Sequence, residues 1–100
     1  MKYASILVLG ILLSILGIIN IRGDISTIHY YNRRKVRDED VPKYAKAVGT
    51  GTLIIGLSFI CCFFAAFLSE VLIPFICIPA VLVGLAFILY AQFRYNKGLF

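Results

Sequence analysis

Three long stretches of this 100-residue chain lack charged residues altogether, and that absence decides its class. Residues 3–21, 48–68 and 74–93 contain no Asp, Glu, Lys, Arg or His. Hydrophobic residues make up 61% of the chain, whereas ordinary soluble domains contain about 45–50%. A soluble core of this size could not bury the excess. The sequence therefore predicts an integral membrane protein with a single domain, residues 1–100.

Residues that carry chemistry are also scarce. His29 is the only histidine and is predicted on the opposite side of the membrane from the three cysteines, so no zinc site can be assembled. No span holds a nucleophile–base pair or paired carboxylates, so we expect neither an enzyme nor a cofactor. Glu70 is predicted at a turn between two spans, and the other four acids all lie in residues 22–47. A proton-coupled antiporter needs an ionisable group inside the membrane, and none is present there.

The three uncharged runs predict an all-α membrane protein with three transmembrane helices, because about 17–25 apolar residues cross a bilayer. The first run could also be a cleaved signal peptide, since Lys2 resembles its basic start. It exceeds the usual length of about 7–15 residues and no A-x-A-like site follows, which favours a retained helix. Pro74 fits the first turn of the third span, and Pro79 lies inside it.

Residues 22–47, the polar segment, separate the first span from the second. They hold seven of the ten Lys and Arg residues and four of the five acids. Ile25, Ile28 and Val36 cluster on one side of a helical wheel, opposite the arginines, which predicts a short amphipathic helix in the membrane interface. A solvated loop whose charges only fix topology fits equally well. Asp40 before Pro42 is typical of the start of the next helix.

The distribution of Lys and Arg predicts the orientation. Three spans place the polar segment and the tail, with Arg94 and Lys97, on one side, while the other side has only Lys2. We therefore expect a multi-pass protein of the cell (inner) membrane with a cytoplasmic polar segment, a cytoplasmic C-terminus and an N-terminus outside. Most of the tyrosines gather at the same interface, in agreement with this orientation.

The polar segment contains the candidate binding surface, which we call the basic surface. It consists of His29, Tyr30, Tyr31, Arg33, Arg34 and Arg37. Arginines with interleaved tyrosines bind phosphates, so anionic membrane lipid is the favoured ligand and a partner protein the next. Nucleic acid is not expected, because the basic residues flank apolar spans instead of lining a soluble face.

Small residues recur at helix-packing spacing in all three spans. They are Gly10, Ser14, Gly17, Gly49, Thr52, Gly56, Ala80 and Gly84. Such stripes let helix backbones approach each other in lipid, within one chain or in a homo-oligomer, and a glycine-lined passage is the alternative. Cys62 and Cys77 fall at similar depth, so a disulfide or metal site is conceivable, but small buried apolar residues are favoured.

The polar segment also carries a resemblance. It reads DISTIHYYNRR at residues 24–34, DED at 38–40, Lys-Tyr at 43–44 and then Gly49. This pattern resembles small three-span membrane proteins of Gram-positive bacteria, a family known only as a domain of unknown function. The resemblance implies residence in a bacterial inner membrane. No activity is attached to such proteins, so it implies no functional residue.

These features favour a small integral membrane protein that acts by interaction. We expect an accessory, regulatory or immunity-type subunit whose basic surface contacts anionic lipid or a larger membrane protein. The alternative is a subunit of an oligomeric small transporter or channel, assembled through the small-residue stripes.

Overall fold

The computed structural model describes residues 3–23 and 38–95. Within these residues the regular structure is helical: α1 spans Ala4–Ile21, a short 3-10 helix spans Asp38–Asp40, α2 spans Val41–Ala65 and α3 spans Leu72–Tyr95. At 1.5 Å per residue, even the 18 residues of α1 extend about 27 Å, close to the thickness of a hydrocarbon core. All three helices are long and apolar enough to cross a membrane, which confirms the three candidate spans. The predicted amphipathic helix lies outside the described residues.

The helix ends differ from the ends of the apolar runs. α2 begins at Val41, as Asp40 before Pro42 predicts, with the proline in the first turn, where no N–H is needed. This start lies well before the apolar run, which begins at residue 48. It ends at Ala65, short of the predicted Leu68, because residues 66–68 form a turn. α3 begins at Leu72 and also holds a proline, Pro74, in its first turn. The length of an apolar run reflects the thickness of the bilayer. A helix can extend beyond that run into water, because the positions of its ends depend on its backbone hydrogen bonds.

α2 is the central helix of the described structure and packs against both α1 and α3. Gly49 and Gly56 of α2 face α1, while Gly51 faces α3. At 100° per residue, Gly51 lies about 200° around the helix from Gly49, so the two neighbours occupy nearly opposite sides of α2. Each neighbour runs antiparallel to α2. This gives α2 two packed faces and leaves much of α1 and α3 uncovered.

The two ends of the α2–α3 hairpin are packed differently. At the end near the polar segment, which we call the loop end, Tyr44 and Ala91 are fully buried and form one apolar cluster with Val48. At the other end, the hairpin end, backbone bonds close the turn, with Ser69 N donating to Ala65 O at 3.0 Å. Leu68 is 84% exposed in this turn, which is typical of a segment that contacts lipid at the membrane boundary.

Candidate functional site

The basic surface falls outside the described residues. All six of its members lie in residues 24–37, so its arrangement and its contacts stay predictions. The described residues that flank this segment are Arg22 and Gly23 on one side and the 3-10 helix on the other. Gly23 has a φ of 103°, a left-handed conformation that glycine adopts readily, and it follows the last turn of α1 as a helix-ending residue.

The small residues of α1 lie against those of α2. A Cβ atom built on Gly17 would lie 2.8 Å from Gly49 O and 2.7 Å from Leu53 N. A Cβ on Gly49 would lie 2.6 Å from both Gly17 O and Ile21 N. Real Cβ atoms essentially never come within 3.0 Å of such atoms. The two backbones are therefore in direct contact, and neither glycine position has space for a side chain.

The same contact continues toward the hairpin end through Ser14. A Cβ on Gly56 would lie 2.6 Å from Ser14 N and Oγ, and one on Gly10 would lie 2.8 Å from Gly56 O. The buried Ser14 hydroxyl donates a hydrogen bond to Gly10 O at 2.7 Å, so its polar group is satisfied inside α1. Serine here acts as a small residue that leaves no unpaired hydroxyl facing the neighbouring helix.

Gly84 is the small residue of α3 that meets α2, and its partner is Gly51. A Cβ on Gly84 would lie 2.7 Å from Gly51 O, and one on Gly51 would collide with Gly84 O. The small-residue pattern did not single out Gly51, because it faces away from the stripe that contains Gly49 and Gly56. Three glycines on two faces of one helix are the signal that α2 has two neighbours.

Two members of the predicted stripes are less enclosed. Thr52 is partly buried, and its hydroxyl donates to Val48 O at 2.9 Å within α2. Ala80 is also partly buried. The closest backbone approaches of the described helices therefore involve six of the eight predicted small residues, together with Gly51.

Cys62 and Cys77 meet at the hairpin end of the α2–α3 contact. Their Cα atoms lie 6.9 Å apart and the structure joins their sulfurs in a disulfide. The sequence left this pairing open and favoured unbonded cysteines. Cys62 is fully buried, whereas the neighbouring Cys61 is a free, exposed thiol. The described residues contain no group of three or more His, Cys, Asp or Glu side chains that could hold a metal ion.

Taken together, the described helices bring together small residues and one cysteine pair, an arrangement that holds helices together. Comparison with family models, with curated proteins and with solved structures found no match to this chain.

Proposed function

We propose that the protein is a small accessory subunit of a bacterial inner membrane, acting by interaction and without catalytic activity of its own. Its polar segment faces the cytoplasm, its N-terminus lies outside, and its basic surface contacts a larger membrane protein or anionic lipid. The three helices hold that surface at the membrane.

The observation that carries this proposal is the use of the small residues inside the chain. Gly17 and Gly49 touch across α1 and α2, and Gly51 and Gly84 touch across α2 and α3. Helices associate in lipid mainly where small residues allow close approach. The exposed faces instead carry bulky side chains, such as Ile15 on α1, which is 49% exposed. Such faces suit lipid chains better than an oligomer assembled through glycine stripes.

The distribution of charge supports the same proposal. A proton-coupled antiporter needs an ionisable group within its spans, where it is costly and therefore retained for function, whereas a passive channel does not. The three uncharged runs contain none. The basic surface is the one cluster of arginines in the sequence, and arginines with tyrosines bind phosphates and acidic partners.

A photo-crosslinking amino acid tests where the partner binds. We expect this amino acid, placed at Tyr31 of the full chain in native membranes, to form adducts with one larger protein. Placed at Val83, on the exposed side of α3, we expect adducts with lipid only, because that residue is 49% exposed and bulky. The readout is the mass of the crosslinked species and peptide identification.

The Arg33→Gln, Arg34→Gln double variant is the control within the basic surface, and it should lower the yield of the Tyr31 adduct several-fold. Homodimer adducts at Val83, with none at Tyr31, would contradict the proposal and support the oligomeric transporter. In that case Glu70→Gln should also abolish an ion- or drug-dependent phenotype, whereas an accessory subunit tolerates this change.

Thiol labelling tests the proposed orientation. A cysteine placed at Ser26, in a chain whose own cysteines are replaced by serine, should resist an impermeant maleimide applied to intact cells. It should react once the cells are opened, because the positive-inside rule places this segment in the cytoplasm. Labelling from outside intact cells would reverse the topology.

A further inference from the structure

A groove opens between α2 and α3 at the loop end, and its lining residues are different from those of the basic surface. Its volume is about 320 Å³, and its lining includes Lys43, Lys46, Thr50, Phe87, Tyr90 and Tyr95. The groove is open to the side of the helices, where lipid lies beside the three spans. Its position next to the first turns of α2 places it at the boundary between headgroups and acyl chains.

Two lysines give the groove its charge. Lys43 and Lys46 are three residues apart on α2, so they share a face, and both are exposed. Thr50 continues that face one turn deeper, and its hydroxyl donates a hydrogen bond to Lys46 O at 2.7 Å. Arg94 stands near the opposite wall, 5.6 Å from the centre of the Tyr95 ring. The lining of the groove therefore carries two positive charges, and a third lies close to it.

The opposite wall is aromatic. The rings of Tyr90 and Tyr95 meet edge to face, with centroids 6.1 Å apart. Tyrosine is suited to the membrane interface, since its ring is apolar and its hydroxyl reaches the headgroup layer. Phe87 and Tyr90 also line a second, shallow depression of about 230 Å³ together with Ala86. The aromatic wall of the groove is therefore also part of an apolar surface of α3.

We propose that this groove binds one anionic phospholipid. The phosphate lies between the ammonium groups of Lys43 and Lys46, and an acyl chain follows the apolar wall past Phe87. A free phosphate ion would use only the charged end. A helix of another protein would have to supply a carboxylate for each lysine that it buried, because burying unpaired charge is costly. A phospholipid satisfies both ends while the lysines stay at the water boundary.

The absence of tryptophan from the sequence provides a direct test. Phe87→Trp gives the full chain a single tryptophan in the groove, and Phe75→Trp gives a matched reporter near the hairpin end, where Phe75 is 72% exposed. Each protein is reconstituted in mixed nanodiscs of phosphatidylglycerol and phosphatidylcholine, in which either one lipid or the other carries brominated acyl chains that quench nearby tryptophan. From the two quenching extents, we expect a relative affinity at Phe87→Trp that favours phosphatidylglycerol about thirtyfold, from two surface basic residues. Phe75→Trp should show no preference.

Two charge-matched variants decide whether the lysines are responsible. Lys43→Gln with Lys46→Gln should abolish the preference at Phe87→Trp, while Arg33→Gln with Arg34→Gln should retain it. Equal loss in both variants would overturn the groove as the site and indicate general attraction to the basic region. Equal quenching by the two lipids, or displacement of phosphatidylglycerol by inorganic phosphate, would overturn it as well. These readouts do not depend on a protein partner, so they stand apart from the proposed function.

Discussion

Replacing Gly49 with leucine should push α1 away from α2 and lower the free energy of unfolding by about 3 kcal/mol, at the upper end of overpacking effects. A Cβ at this position would meet Gly17 O and Ile21 N, both at 2.6 Å. These are backbone atoms, so no rotamer change can make room. The helices must separate, and the close contacts between Gly17 and Gly49 are lost along with those next to them.

Denaturant titration in mixed micelles measures the loss of stability. The distance between labels on α1 and α2 measures the separation of the two helices. Ser5→Leu is the matched control, because it adds the same side chain to an exposed position of α1. Its unfolding free energy should stay within about 0.5 kcal/mol of the parent. Gly51→Leu should instead loosen α3 while the α1–α2 distance stays unchanged. If Gly49→Leu and Ser5→Leu have the same free energy of unfolding, α1 and α2 do not make the close contact described above.

The three spans were predictable because they follow from solvation alone. A run of about 20 residues without charge has few alternatives to a helix in lipid, since every backbone group must be bonded within the segment. Residues 48–68 predicted α2 in this way. The first turns of α2, from Val41 to Ala47, extend beyond the apolar run, so hydropathy does not reveal them. Asp40 before Pro42 does predict them, and α2 begins at Val41 directly after Asp40.

The partner of each helix face was less predictable. Small-xxx-small spacing identifies a face that permits close approach, but it does not say which helix approaches. Gly51 illustrates the limit: it belongs to the face toward α3, which the stripe through Gly49 and Gly56 does not include. In the sequence, Lys43 and Lys46 similarly count only among the basic residues of the polar segment. Only the position of α3 makes them one wall of a groove that ends at Tyr90 and Tyr95.

The cysteine pair required the rotation of both helices as well as their depth. The turn near Ser69 places Cys62 and Cys77 at comparable distances from it, and that much is visible in the sequence. Cys61 is nearly at the same depth, yet its thiol is free and the residue is exposed. One residue corresponds to 100° around the helix, so the choice between Cys61 and Cys62 depends on which face α3 covers.

Replacing Cys77 with serine should therefore lower the free energy of unfolding by about 3 kcal/mol under non-reducing conditions, the value expected for a closed loop of about 15 residues. The bond joins residues 15 apart in sequence and ties the hairpin end of α3 to α2. Denaturant titration in micelles measures the loss, and a reducing agent should remove the difference between the variant and the parent. Cys61→Ser is the control and should leave the stability unchanged, because its thiol is free.

The oxidation state of this pair in living cells also reports the side of the membrane. Disulfides persist outside the cytoplasm and are kept reduced within it. In the proposed orientation the hairpin end faces outward, so cells trapped with acid and alkylated should yield the parent chain with one modified thiol, Cys61. Alkylation after reduction should modify all three cysteines. If the chain from intact cells carries three modified thiols without reduction, either the pair does not form there or the hairpin end faces the cytoplasm. The Ser26 labelling experiment then separates these two explanations.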